Sequence, residues 1–185
     1  MNQIIKNTII LFVITLVAGI CLGTVHDITL DPIAQAQKAA ATKTYQEVYP
    51  DAASFDEPQE LADAVTAAAD SISEWGFGKV TINDAKEALD ASGNQIGYLI
   101  TSTSAESYGG NVQIAVGITN EGELTGIGFL SISDTPGLGM RAKEPDFKDQ
   151  FIGKKAENLE VTKTGASADN QIEAISGATI TSKAV

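Results

Sequence analysis

Few side chains in this sequence are suited to chemistry, and they are unevenly placed. One His, His26, and one Cys, Cys21, are present among 185 residues. That is too few for a Cys/His zinc or iron–sulfur site built by this chain alone, or for an internal disulfide. Both fall in or just after the apolar N-terminal stretch, so neither is expected in a folded cleft. Acid–base and nucleophilic catalysis need such groups or converging carboxylates, and the carboxylates here are scattered. Asp90, Ser92 and Asn94 are spaced like the start of a calcium loop, but Gln95 stands where that loop needs Gly, so a plain turn is expected. Hydrolase, protease and metalloenzyme readings have little support, and no catalytic residue or metal ligand is assigned.

Two glycine-bearing stretches remain. The first is D-T-P-G-L-G, residues 134–139. Pro followed by Gly suits a type II turn, where Pro fixes one φ and Gly supplies a positive one. The missing side chains also let a flat ligand approach the backbone. The second is S-G-A-T-I-T-S, residues 176–182. Ser176 reads as an N-cap, which places Gly177, Ala178 and Thr179 at the first helical positions. Free amides and the helix dipole there favour an anion, with room left by Gly177 and Ala178 for a phosphate. On residues alone, an ordinary turn and a plain capped helix stay open beside these ligand-binding readings.

The elements that must position these stretches begin with a membrane segment. Residues 8–25 carry no charge and no Pro. As a helix they would cover about 27 Å, close to the roughly 30 Å of a bilayer's hydrocarbon core. A cleaved signal peptide is the alternative, but the nearest A-x-A site, at residues 34–36, lies beyond Asp27, Asp31 and Pro32, too far from the apolar end. A lipoprotein site at Cys21 would need a small residue where Ile20 stands. A retained anchor is therefore expected, with Cys21 as an apolar residue within it. Lys6 precedes the segment and Asp27 and Asp31 follow it, so the positive-inside rule puts the N-terminus in the cytoplasm and the bulk outside.

The rest of the chain is acidic. The sequence holds 12 Lys+Arg against 24 Asp+Glu, a net charge of −12, and Lys6 is the only charged side chain before His26. This balance argues against nucleic acid as a partner. Residues 33–48 are rich in helix formers, with Pro32 suited to a first turn and Tyr49-Pro50 to an end. Leu61, Val65, Ala68 and Ile72 have helical spacing. The period then changes to two. Ile96, Tyr98 and Ile100 alternate, as do Val112, Ile114, Val116 and Ile118, and a further strand is expected over residues 124–132. Short turns between them predict an antiparallel meander with flanking helices, an α+β fold. Residues 147–152 suggest a helical turn, and Lys154-Lys155 a solvated turn. There is no Rossmann or P-loop fingerprint.

Taken together, the two glycine-bearing stretches resemble the paired motifs of the FMN-binding subunits of two related membrane redox complexes. These are the Rnf complex (ferredoxin:NAD oxidoreductase) and the sodium-translocating NADH:quinone reductase. S-G-A-T-I-T-S resembles the S/T-G-A-T flavinylation motif of that family. D-T-P-G-L-G resembles its E-T-P-G-L-G loop, with Asp134 in place of Glu. The apolar N-terminus, followed by D-P-I-A and an Ala-rich helix, is most similar to the RnfG component of the Rnf complex.

The resemblance implies FMN joined covalently through its phosphate to the hydroxyl of Thr179 by a separate flavin transferase. It implies that Ser176, Gly177, Ala178 and Thr181 shape the phosphate end, and that Thr135, Pro136, Gly137, Leu138 and Gly139 line the flavin. The organisation expected is a cytoplasmic N-terminus and anchor over 1–25, a juxtamembrane helix and connection over 26–60, and an extracytoplasmic FMN-binding domain over 61–185. The function implied is electron carriage among other membrane subunits of an ion-translocating complex. Two departures stand out: Glu173 holds the place of an Asp three residues before the motif's Ser, and the sequence stops six residues past Thr179, where the family continues the helix. Two other readings remain: an anchored extracytoplasmic adaptor with no cofactor, and a free-standing flavin reductase, which lacks a nicotinamide-binding signature here.

Overall fold

The computed structural model describes residues 2–185, and the chain divides between Ala41 and Thr42 into two compact units. Helix α1 (Gln3–Val48) runs from the first unit into the second. Among the described residues it is the one helix long and apolar enough to cross a membrane, and none of its apolar window is buried in the protein. The expected second helix starting at Pro32 does not exist as a separate element, because α1 passes through Pro32 without a break. Proline removes the one backbone bond its missing N–H would make, and the strong helix formers that follow it in residues 33–48 let the helix run on. The end does fall where Tyr49-Pro50 predicts it.

The second unit is organised by an antiparallel sheet of five strands in the order β1-β2-β3-β4-β5. These are β1 (Ser54–Asp56), β2 (Val80–Leu89), β3 (Gln95–Ser107), β4 (Gly110–Thr119) and β5 (Leu124–Ile132). Helix α2 (Gln59–Ile72) connects β1 to β2. The expected meander over β3, β4 and β5 is present, and β1 and β2 extend it. Asp90 closes the β2–β3 turn, accepting from the amides of Ser92 and Asn94 at 2.8 and 2.9 Å. These bonds, the Asn94 side chain first, hold its carboxyl below the usual range.

One face of the sheet carries the end of α1. Val48 packs with Leu99 and Ala115, and Tyr49 with Ala52 and Ala88. The helix lies close because the sheet offers it glycines: a Cβ on Gly128 would meet Thr44 and Val48, and one on Gly117 would meet Val48 and Tyr49. Thr125 Oγ1 donates to the Val48 carbonyl at 2.7 Å, so the sheet satisfies one of the helix's terminal carbonyls, and the Tyr49 hydroxyl donates to Ile96 O at 2.8 Å.

The other face holds the larger core. Val112, Ile114, Leu124, Ile127 and Ile132 pack against Ala142, Phe147, Phe151, Ile172, Ile175 and Ala178. The covering segments are short: α3 (Pro145–Lys148), the parallel pair β6 (Glu160–Thr162) and β7 (Gln171–Glu173), and α4 (Thr179–Ala184). Lys154-Lys155 is more than a solvated turn. The Leu124 amide donates to Lys154 O at 2.7 Å, Lys155 bridges to Glu123, and Lys154 Nζ donates to Asp169 O at 2.8 Å. This segment lashes the covering layer to the start of β5.

Candidate functional site

The two glycine-bearing stretches leave the core from different elements and meet. Residues 134–139 follow β5, and Thr135–Leu138 close a turn through Leu138 N to Thr135 O at 3.1 Å, with Gly137 at φ +75°. This is the expected Pro-Gly turn, and only the glycine position needs the left-handed region. Residues 175–178 form a second turn of the same kind, through Ala178 N to Ile175 O at 2.9 Å, with Gly177 at φ +79°. The turns touch: a Cβ on Gly177 would come within 3.1 Å of Leu138 Cδ2.

The left-handed Gly177 overturns the expectation that Ser176 caps a helix. A chain at positive φ is not helical, so α4 begins only at Thr179, with Ala178 before it and no side-chain cap. Ser182 does the local holding instead: its Oγ accepts from Ile175 N at 2.9 Å and donates to Ala178 O at 3.0 Å. At six residues α4 has a small dipole, so its start offers an anion little of the attraction that a longer, capped helix would.

Between the two turns lies a cleft of about 570 Å³. Its walls include Thr135, Leu138, Gly139, Gly177, Ala178, Thr179 and Thr181 from the expected residues. Pro136 and Gly137 sit on the turn but do not line it, and Ser176 faces a separate, more polar groove beside Arg141, Glu144 and Glu173. Tyr108, Asp134 and Ile180 line the cleft as well. Tyr108 is 74% exposed on the β3–β4 turn, and Ile180 and Leu138 are also exposed, so the mouth is largely apolar. Tyr108 directly before Gly109-Gly110 was the available signal, an aromatic placed at a tight turn.

Gly139 has another purpose than ligand approach. The place of its Cβ is taken by the Asp134 side chain, whose Cβ and Cγ would lie within 2.7 Å of it. Asp134 is buried, at 7% exposure. Its carboxylate accepts from the Ser107 hydroxyl, from Thr181 Oγ1 at 2.8 Å, and from the amides of Gly109 and Thr135. Burial pushes its pKa up, but these bonds, Ser107 and Thr181 foremost, outweigh it and hold the carboxyl below its usual range.

The hydroxyls of the second motif are thereby sorted. Thr181, 1% exposed, is committed to Asp134, and Ser182 to the backbone around Ile175 and Ala178. Thr179 is half-buried in the cleft wall, and its hydroxyl makes no hydrogen bond among the described residues.

Comparison with known proteins agrees with both ends of the chain. Residues 107–185 match the family described as FMN-binding domain, and residues 1–48 match the RnfG N-terminal region. The RnfG protein of the Na(+)-translocating ferredoxin:NAD(+) oxidoreductase complex of Acetobacterium woodii is 36% identical, over 98% of this chain and 86% of its own length. This chain belongs to the RnfG family. Its counterpart in the proton-translocating ferredoxin:NAD(+) oxidoreductase complex of Clostridium ljungdahlii is 30% identical over 100% of this chain and 86% of that relative. Among solved structures, NqrC of Shewanella oneidensis is similar over 54% of this chain and 50% of that one, with 18% identity and a TM-score of 0.47. The RnfG match at the N-terminus ends at Val48, where α1 ends, and the FMN-binding match begins at Ser107, one residue before Tyr108 of the cleft wall.

Proposed function

We propose that this chain is the electron-carrying subunit of a membrane-bound, ion-translocating complex of the ferredoxin:NAD(+) oxidoreductase type, and that it holds FMN covalently on Thr179. The observation that carries this reading is the Thr179 hydroxyl, without a hydrogen-bond partner among the described residues, in the wall of a cleft built from both motifs. The cleft suits the group in size, since ligand sites run to about 300–1,000 Å³, and in character. Tyr108, Leu138 and Ile180 offer apolar surface to a flat ring.

The charge of the cleft supports a covalent bond in particular. Its lining contains no Lys or Arg, and Asp134 adds a negative charge. A reversibly bound phosphate dianion would find no cation to offset its desolvation. An ester on Thr179 retains the cofactor without one. When bound, FMN supplies the one- and two-electron chemistry, which belongs to the cofactor. The chain's own residues hold and shield it: Thr179 fixes one end, Leu138 and Gly177 keep the two turns in contact, and Tyr108 flanks the mouth.

In this account residues 1–25 form the cytoplasmic N-terminus and anchor, 26–60 the connection, and 61–185 the extracytoplasmic flavin domain. Lys6 before the apolar segment and Asp27 and Asp31 after it support that orientation. The partners are the other membrane subunits and, during maturation, a flavin transferase. Thr179→Val is expected to abolish flavin fluorescence on the denatured chain after co-expression with the transferase, while circular dichroism stays that of the wild type. A variant that remains fluorescent would remove Thr179 from the role. A dark wild-type chain would favour an anchored adaptor.

A further inference from the structure

The three walls of the cleft come from three separate places in the sequence, and one side chain binds all of them. Ser107 and Gly109 flank Tyr108 on the β3–β4 turn, Thr135 opens the Pro-Gly turn, and Thr181 belongs to α4. Each donates to the carboxylate of Asp134. An ionised carboxylate only accepts, so it fixes the direction of both hydroxyls at once. Burying a charge is costly unless every bond is met, and a negative charge is the least suitable one beside a phosphate. Asn or Ser could fill the same space more cheaply, so its presence asks for a role that packing alone does not supply.

We infer that Asp134 is the positioning residue of the flavin attachment site: by holding Thr181 it sets the rotation of α4 so that the Thr179 hydroxyl faces the cleft. The inference rests on the reading of Thr179 as the attachment point. Two residues on a helix are about 200° apart around its axis. With Thr181 turned inward on to Asp134 and buried, Thr179 is left on the more open side of the helix start, half-buried in the wall of the same cleft. Loading forms the Thr179 Oγ1–phosphorus bond while a P–O bond of an activated FMN pyrophosphate breaks. The nucleoside monophosphate leaves, and a base of the transferase takes the hydroxyl proton. An α4 free to rotate would present Thr179 to this exchange only part of the time. Once FMN is in place, the same fixed charge in the wall opposes the arrival of electrons and lowers the flavin's potential.

The test uses the full-length chain co-expressed with a flavin transferase, with loading read by intact mass and potential by spectroelectrochemical titration. Asp134→Asn is expected to load severalfold less than the wild type, and its loaded fraction to titrate at a more positive potential. Asp134→Glu, which keeps the charge, is expected to bring the potential back towards the wild-type value. Should Asp134→Asn fail to fold, Thr181→Val removes one tie from a residue that is already buried, and reduced loading in a folded chain is again expected. A folded Asp134→Asn or Thr181→Val chain that loads fully and titrates at the wild-type potential would reduce Asp134 to a packing role and overturn the inference. A wild-type chain that never acquires flavin would instead overturn the attachment reading on which it rests.

Discussion

At Asp134 a carboxylate that water would ordinarily solvate is enclosed and given four protein donors, and the pH dependence of folding follows from that. Its folded pKa is depressed below the unfolded value of about 3.9. The stability it contributes is therefore fully present above that value and is lost as the pH falls through the lower, folded value. Replacing it with Asn should cost about 1.5–3 kcal/mol at pH 7, the range for hydrogen bonds to a charged group. Urea unfolding of the wild type and Asp134→Asn should show a constant gap above about pH 5 that narrows below about pH 4. A gap unchanged down to pH 3 would contradict the assignment of an ionised, hydrogen-bonded carboxylate. At this scale the sequence singles out the two stretches that the fold brings to one cleft. It does not show which hydroxyl of S-G-A-T-I-T-S is turned inward, because that depends on Asp134, forty-seven residues away. Ser176 looks like a cap until Gly177 adopts a left-handed φ.

Strands β4 and β5, with apolar period two, are legible because one face of each meets the larger core, and β3 is legible beside them although its buried Leu99 packs on the other face with Val48 and Ala115. Strand β2 is hidden by the face it turns towards α1, which carries Asp84, Lys86 and Ala88. That polarity is tolerated because Lys86 Nζ sits 2.5 Å from Glu57 and 3.7 Å from Asp84. Burial pushes the Lys86 pKa down, and these two carboxylates more than restore it. The glycines of the same face carry the docking of α1, which no periodicity reports. Gly128→Ala would drive a methyl group into Thr44 and Val48 and should destabilise the domain by about 1–3 kcal/mol, the usual cost of overpacking. Thermal unfolding would check this; a melting temperature at or above the wild-type value would mean that α1 does not lie flush on the sheet.

For the whole molecule, an N-terminal helix long and apolar enough to cross a membrane and an acidic α+β body are both readable from the distribution of apolar and charged residues, because hydropathy acts over whole segments. The continuity of α1 through Pro32 is not, since a proline reads equally well as a beginning. The proposed orientation predicts that Ala166→Cys, an exposed position, in a Cys21→Ser background reacts with a membrane-impermeant maleimide on intact cells. Reaction only after lysis would place the domain in the cytoplasm. The claim on which all of this depends is the bond at Thr179. Peptide-resolved mass spectrometry of the native protein tests it most directly. The peptide bearing residues 176–182 should carry the added mass of FMN less one water, localised to Thr179. That peptide at its bare mass, or the flavin on another residue, would contradict the account.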